Sequence, residues 1–313
     1  MCLIALALDE SRRFPLVVAA NRDEFFARPT SRLGWWSPGP GWPDILSGRD
    51  LAAGGTWMGL TAAGRLAMVT NVRKPFEPDA SLPSRGLIVP QWLRGDLPGE
   101  RFWPRVAMSG HAPFNLVAID FRHGDSFWAS SEQACPQRLQ RGLFGLSNAG
   151  LDSPWPKVQR LKLRLKQALG EADDVDALAH RLFEALADRT EAPDAELPHT
   201  GVGRDKERML SPAFIRSPDG RYGTRCSTLI ITERVHKRLV THVMERSFTP
   251  GRGLALVRRS QLNHWPPRYV ADHPGATDVS EIGPVNDSEL PLALAAPAKK
   301  HRVRSLIKPA DRP

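Results

Sequence analysis

The sequence predicts one α+β domain, over roughly residues 2–248, in which stacked sheets are covered by helices. Short apolar runs bounded by turns lie towards both ends of this range, whereas apolar residues at helical spacing concentrate in its middle. The 313 residues include 25 Gly and 28 Pro, a content that implies many turns and argues against an all-helical bundle.

The predicted strands come in pairs along the chain. Leu3–Leu8 and Leu16–Ala20 are apolar on both faces and are joined by a polar turn, which is typical of central strands in a covered sheet. Three further strand–turn–strand patterns follow: 56–60 with 65–70, 114–120 with 125–129, and 228–232 with 239–244.

Two helices are predicted between these strands. Lys157–Leu169 places apolar residues at spacings of three and four, with Lys and Arg at most other positions. The acidic segment 173–176 indicates the start of a second helix, whose apolar stripe runs to Leu186. Residues 193–203 are expected to form a loop.

The positive charge is concentrated at the C-terminal end. The net charge is +9, and residues 297–313 hold six Lys or Arg against one Asp, so the rest of the chain has an ordinary charge for its size. Periodicity fades after Phe248, and we expect 249–313 to be a weakly ordered, Pro- and Ala-rich basic extension. Contact of this tail with RNA or an anionic membrane is one hypothesis, whereas DNA is not an expected partner.

Cysteine use and the apolar segments predict a compartment. Cys2, Cys135 and Cys226 are scattered and form no disulfide framework, which favours a reducing cytoplasm. The apolar start is too short for a signal peptide, and no segment approaches the roughly 18 to 20 apolar residues that span a bilayer. His236 and His242 have no third ligand and no nucleotide-binding loop is present, so neither a metal nor a cofactor is expected.

Cys2 directly follows the initiator methionine. If Met1 is removed, one residue carries both a thiol and a free α-amine, whose reference pKa is about 7.7 to 8.0. Such an amine can take the thiol proton at neutral pH, directly or through water, and so form a complete nucleophile and base. An ordinary structural cysteine is the alternative, because this position alone also arises by chance.

Four polar residues, Asn21, Arg22, Asp23 and Glu24, follow the second predicted strand. A solvated strand end is the plain interpretation. If this strand lies beside the first, however, it delivers polar groups next to Cys2. A carboxylate there can hold an N-terminal ammonium, and Arg22 can bind a substrate anion.

Several ordered sequence blocks accompany Asn21-Arg-Asp-Glu24. They lie at 48–50, 54–59, 69–71, 84–86, 114–115, 145–149, 222–228 and 245–248. With these blocks the chain resembles the NRDE family, also called the transport-and-Golgi-organisation family, over about four-fifths of its length. That family is similar to the N-terminal-nucleophile hydrolases, in the branch of penicillin V acylase and bile-salt hydrolase.

The resemblance implies a four-layer αββα sandwich of two antiparallel sheets. It also implies hydrolysis of a C–N amide bond in a small molecule, or a related acyl transfer, through an acyl-enzyme. By position, Cys2 matches the nucleophile and Asp23 the carboxylate that hydrogen-bonds its amine. The implied oxyanion donors and the arginine near the nucleophile are Asn71, Asn148 and Arg225. Asn21, Arg22 and Glu24 are expected to contact the substrate.

One departure from the hydrolases motivates a second hypothesis. They carry an arginine just before the Asn-x-Asp segment, where this chain has Ala20. The chain also contains nine Trp residues, which can line an apolar pocket or simply pack in the core. The alternative is therefore a non-catalytic protein on the same fold that binds an apolar ligand such as a lipid or haem. Asn148 as a helix cap and Arg225 as a structural ion-pair member are the corresponding plain alternatives.

Overall fold

Two seven-stranded antiparallel sheets form the frame of the protein. The computed structural model describes residues 2–75, 81–95, 97–250 and 256–267, and the backbone of one strand at Pro284–Glu289. The first sheet has the order β10 (Gly142–Leu146), β1 (Cys2–Leu8), β2 (Leu16–Phe25), β11 (Tyr222–Val235), β12 (Arg238–Ser247), β13 (Leu256–Asn263), β14 (Pro284–Glu289). The second has the order β3 (Thr30–Trp36), β4 (Ile45–Asp50), β5 (Met58–Leu60), β6 (Arg65–Asn71), β7 (Phe114–Asp120), β8 (Asp125–Ser130), β9 (Gln137–Arg138).

Helices cover the outer face of each sheet. The helices α3 (Pro156–Glu171) and α4 (Val175–Leu186) pack on the first sheet, and α1 (Ile88–Leu93) and α2 (Gly99–Ala107) pack on the second. Three clusters of buried apolar side chains fill the spaces between the four layers. The predicted αββα sandwich is therefore confirmed. A short helix, α5 (Arg204–Met209), follows α4, and no helix in the described ranges is long and apolar enough to cross a membrane.

Strand β1 shows how the sequence selects this arrangement. Its residues alternate between faces, so Leu3 packs towards α3 and α4, whereas Ile4 and Leu6 pack between the two sheets. Every residue of the strand is buried, because both faces are covered. The same alternation turns Cys2 towards the second sheet.

Strand β2 is longer than the apolar run predicted. It continues to Phe25, so Asn21, Arg22, Asp23 and Glu24 lie within a paired strand and not beyond its end. The strand extends because these residues pair with β1 on one side and with β11 on the other. Their polar side chains also find buried partners, which offsets the cost of removing them from water.

Several elements were not predicted from the sequence. The strands β3 and β4 flank a turn rich in Gly and Pro, and α1 and α2 contain Pro90 and Pro104, which ordinarily indicate the end of a helix. Strand β13 extends the first sheet past the expected boundary at residue 248 by pairing with β12. Residues 251–255, 268–283 and 290–313, including the basic end of the predicted extension, lie outside the described residues.

Candidate active site

Cys2 lies at the first position of β1 and lines a cavity of about 150 Å³ at one end of the space between the sheets. Its residue surface is 8% exposed. Ser147, which directly follows β10, fixes the backbone of Cys2, because its hydroxyl donates a 3.0 Å hydrogen bond to the Cys2 carbonyl. Val69 and Asn71 of β6 contribute the opposite wall, so both sheets build the cavity.

The thiol of Cys2 is held in its protonated form. Burial raises the pKa of the Cys2 thiol, and the nearby Asp23 carboxylate acts in the same direction while Arg22 opposes them. The thiolate, not the thiol, is the nucleophile, so a cysteine in this environment needs a base to take its proton. Cys226 is also buried but does not line the cavity, and Cys135 is exposed elsewhere. The described residues contain no cluster of His, Cys, Asp and Glu that could hold a metal ion.

Asp23 lies one residue beyond the strand position that pairs with Cys2. Its Oδ1 accepts a 2.7 Å hydrogen bond from the Thr224 hydroxyl of β11. Burial raises the pKa of the Asp23 carboxyl, whereas the positive charge of Lys157 and the bond from Thr224 lower it. The carboxylate is therefore a fixed, buried acceptor on the cavity wall.

A group of buried charges lies behind Asp23 that sequence reasoning missed. Lys157, in the first turn of α3, is 2% exposed and donates a 2.9 Å hydrogen bond to the Leu210 carbonyl. Burial lowers the pKa of Lys157 to about 7, with Arg73 acting in the same direction and Asp23 against it. Arg73 in turn forms a buried ion pair with Glu207 of α5. Two basic and two acidic groups thus balance one another beneath the site.

Asn71 and Asn148, the two predicted amide donors, are brought into contact. The Asn148 Nδ2 donates a 2.8 Å hydrogen bond to the Asn71 carbonyl, and Asn148 itself is buried. Asn71 is half-buried at the end of β6 and lines the cavity. No hydrogen bond within the described ranges engages the Asn71 side chain, so its amide is available to a ligand. Asn148 holds the backbone that carries it.

Arg22 and Glu24 line the cavity as expected, together with a pair that was not predicted. The Arg22 guanidinium lies over the Trp57 ring, 4.5 Å from its centroid, and 3.8 Å from the Glu24 carboxylate. Beside them, Arg28 donates hydrogen bonds of 2.9 and 2.7 Å to one oxygen of Asp50. Charged side chains therefore form much of the cavity wall.

Asn21 and Arg225 do not line the cavity. The Asn21 amide donates to the Leu186 and Ala213 carbonyls, at 2.8 Å each, and accepts from Ser227, so it ties the sheet to the helical layer. Arg225, at a bulge in β11, donates to three backbone carbonyls of the segment 25–28. Burial lowers the pKa of Arg225. Its contacts hold the segment that carries Arg28.

Arg85 also lines the cavity and was not among the predicted site residues. Its segment is fixed by backbone packing: the Thr56 amide donates a 2.9 Å hydrogen bond to the Gly86 carbonyl, and a Cβ on Gly55 would lie 2.2 Å from that oxygen. Only glycine fits at position 55 for this reason. Gly55 and Arg85 lie in two of the sequence blocks, 54–59 and 84–86, that support the family resemblance. Membership of these blocks was the sequence signal that could have identified Arg85 as a site residue.

The family model and the proteins that match this chain in sequence share one description. A family model described as Transport and Golgi organisation 2 matches residues 1–250. A Bos taurus protein, "Transport and Golgi organization protein 2 homolog", is 32% identical over 255 residues, covering 74% of this chain and 89% of that protein. The Drosophila melanogaster "Transport and Golgi organization protein 2" is 27% identical over 281 residues, covering 80% and 93%.

Two solved structures resemble the fold at a distance. A mutant conjugated bile acid hydrolase from Clostridium perfringens has a TM-score of 0.41 and 10% identity, covering 76% of this chain and 90% of its own. A Caenorhabditis elegans N-acylethanolamine-hydrolyzing acid amidase orthologue has a TM-score of 0.41 and 12% identity, covering 74% and 92%. Neither assigns an activity to this chain. The family expected from the sequence blocks is confirmed by the sequence matches: the chain belongs to the Transport and Golgi organisation 2 family.

Proposed function

We propose that this protein is an N-terminal-cysteine hydrolase that cleaves a C–N amide bond in a small molecule, or a closely related acyl transferase. The observation that carries the proposal is the convergence of Cys2, Asp23 and Asn71 on one cavity. These three groups supply a nucleophile, an acceptor for a terminal amine and an amide donor. The reaction needs no cofactor.

The first step begins after Met1 has been removed. The free α-amine of Cys2 takes the proton of its own thiol, and Asp23 accepts a hydrogen bond from the resulting ammonium. The thiolate attacks the substrate carbonyl carbon, and the carbonyl electron pair moves onto oxygen. The raised pKa of the thiol supports this scheme, because burial leaves the thiol protonated until a base acts on it.

The tetrahedral intermediate then divides into acyl-enzyme and amine. Asn71 donates a hydrogen bond to the oxyanion, a contribution commonly worth about 10²–10³ in rate. When the C–N bond breaks, the ammonium returns its proton to the leaving nitrogen, which departs as a neutral amine. A water molecule, or another acceptor in the transferase case, attacks the thioester and regenerates the thiol.

The cavity lining favours a polar substrate over a large apolar ligand. Six of its residues carry charge, namely Arg22, Asp23, Glu24, Arg28, Asp50 and Arg85, and Trp57 is its aromatic contribution. Binding sites for extended apolar ligands are instead lined mainly by aliphatic and aromatic side chains. Lipid or haem handling therefore remains the alternative, with less support from the site.

A substrate panel tests the proposal. After the N-terminus of the purified protein has been established by mass spectrometry, short-chain acyl amides and thioesters are incubated with wild type, Cys2→Ala and the matched control Cys135→Ala. We expect acid release by wild type and by the control, and none by Cys2→Ala. Equal turnover by Cys2→Ala would contradict the proposal, and ligand binding without any turnover would favour the alternative.

A further inference from the structure

The charged side chains around Cys2 form two groups that differ in their numbers of acidic and basic residues. The inner group, behind Asp23, pairs two acidic residues with two basic ones: Asp23 and Glu207 with Lys157 and Arg73. All four residues are buried, Arg73 pairs directly with Glu207, and the charges of Arg73, Asp23 and Glu207 all influence the pKa of Lys157. The inner group has no positive charge left over for a ligand.

The outer group, which lines the cavity, is not balanced. It contains three guanidinium groups, those of Arg22, Arg28 and Arg85, but only two further carboxylates. Arg28 is bound by Asp50 at 2.7 Å. Glu24 lies 3.8 Å from Arg22 and 3.9 Å from Arg28. Among the residues that the structure describes, one of these positive charges therefore has no carboxylate beside it.

Arg85 is the residue that carries this surplus charge. Its Nη1 donates a 3.1 Å hydrogen bond to the Pro113 carbonyl, and no ion pair of the described residues includes it. Arg85 lines the same cavity as Cys2 and Glu24. Burial lowers the pKa of Arg85, and the charges of Cys2 and Glu24 oppose that effect. A half-buried cation with no carboxylate partner in the described part of the chain can bind an anion.

Hydrogen bonds hold the segment around Arg85 and restrain the cation before a ligand binds. The Ser84 hydroxyl accepts a hydrogen bond from the Gly86 amide, and the Gly86 carbonyl is fixed by Thr56. The bond to Pro113 further restricts the side chain. Little conformational entropy is then lost on binding, which favours affinity.

We propose that the substrate carries a carboxylate that is bound by the Arg85 guanidinium while the scissile carbonyl lies at Cys2. The inference rests on the proposed function for the identity of the reacting bond. It adds the class of molecule, which is an amide with a free carboxylate a few bonds from its carbonyl. A planar guanidinium matches a carboxylate through two parallel hydrogen bonds, and no hydrogen bond among the described residues occupies Nη2 or Nε of Arg85.

Two alkylating reagents of similar size test this site without any assumption about turnover. Iodoacetate carries a carboxylate and iodoacetamide does not, and both transfer their carbon to a thiolate with loss of iodide. Peptide mass spectrometry gives the iodoacetate-to-iodoacetamide rate ratio at Cys2, divided by the ratio at exposed Cys135 in the same sample. The proteins are wild type, Arg85→Gln, Arg85→Lys and the matched control Arg101→Gln, an exposed arginine of α2.

We expect the normalised ratio in Arg85→Gln to fall about tenfold, the scale of one charge-assisted hydrogen bond. It should be retained in Arg101→Gln and largely retained in Arg85→Lys, which keeps the charge. An unchanged ratio in Arg85→Gln would overturn the inference and leave the proposed hydrolysis standing. Failure of both reagents to modify Cys2 in folded wild type would also overturn it, because no small anion could then reach Arg85. Absence of turnover with an intact ratio would instead count against the hydrolase proposal alone.

Discussion

Cys2 lies directly opposite Arg22 in the antiparallel pairing of β1 with β2, and the Arg22 guanidinium stacks on Trp57 at 4.5 Å. Trp57 immediately precedes β5 of the second sheet. The strand neighbour of Cys2 is thus joined to the opposite sheet by a cation–π contact, which is worth about 0.5 to 2 kcal/mol depending on solvent exposure. Both residues of this contact line the cavity.

The first prediction concerns Asn71. Asn71→Ala removes an amide that lines the cavity without breaking a described hydrogen bond of its side chain. We expect turnover to fall by about 10²-fold or more, because the oxyanion loses a donor, while the melting temperature stays close to that of wild type. Steady-state kinetics and thermal unfolding check both expectations. A loss of stability that accounts for the lost activity would assign Asn71 a structural role instead.

The second prediction concerns the charge of Asp23. Asp23→Asn keeps an oxygen that can accept the bond from Thr224 but removes the negative charge beside the terminal amine. We expect kcat to fall by roughly 10²-fold or more, in the range typical of lost acid–base catalysis, with a smaller change in KM. Comparison of kcat, KM and the circular dichroism spectrum distinguishes this outcome from misfolding. Retention of wild-type kcat would contradict the assigned role.

The third prediction concerns the buried ion pair of Arg73 with Glu207. Glu207→Gln leaves the Arg73 charge buried without its partner, and we expect the free energy of unfolding to fall by about 3 kcal/mol. Asp194→Asn is the matched control, because it removes one of the two carboxylates that pair with partly exposed Arg208 on the same helix, and it should change stability much less. Urea unfolding measures both. An equal loss of unfolding free energy in Glu207→Gln and Asp194→Asn would show that burial does not make the Arg73–Glu207 pair more important for stability.

The fourth prediction concerns the pH dependence of stability through Lys157. Burial lowers the pKa of Lys157 from 10.5 to about 7 in the folded protein. Between these values the unfolded chain holds a proton that the folded protein has released, so this residue makes stability rise with pH. Below pH 7 both states are protonated and its effect is constant.

Lys157→Met isolates that contribution from the other groups that titrate in the same range. We expect the difference in unfolding free energy, wild type minus variant, to increase from about pH 7 to about pH 9.5. Urea unfolding at several pH values measures it. Parallel curves over this range would show that Lys157 titrates normally.

The main strands and the first long helix could be predicted from the sequence alone, because apolar runs and helical spacing are local signals. Leu3–Leu8 is apolar throughout because both faces of its strand are buried, and the apolar stripe from Val158 to Leu169 follows the buried face of its helix. Both elements were predicted to within a few residues of their observed ends. The order of the layers was implied by the family resemblance of the ordered sequence blocks. Cys2 was predicted as a nucleophile from its position after Met1 and from the same resemblance. The prolines in α1 and α2 concealed two helices, because proline ordinarily ends a helix.

The buried charges were beyond a local analysis. Lys157 lies four residues before Leu161, on the face of α3 that is buried, but its charge gave no reason to expect burial, and nothing nearby in sequence relates it to Asp23. Arg85 and Arg73 lie in segments without periodicity, and their partners are distant along the chain. The balance of charges depends on contacts between residues that are distant along the chain, so it could be identified only from the three-dimensional structure.

The central claim is that Cys2 acts as an N-terminal residue, and the mass of the native protein tests it most directly. Intact-mass spectrometry of protein purified without an N-terminal tag, followed by peptide mapping after brief thiol alkylation, reports the terminus and the reactive cysteine together. We expect a mass lower by one methionine residue, Cys2 as the new terminus and faster alkylation of Cys2 than of buried Cys226. Retention of Met1 on the native protein would contradict it, because the α-amine that is needed as the base would then belong to another residue.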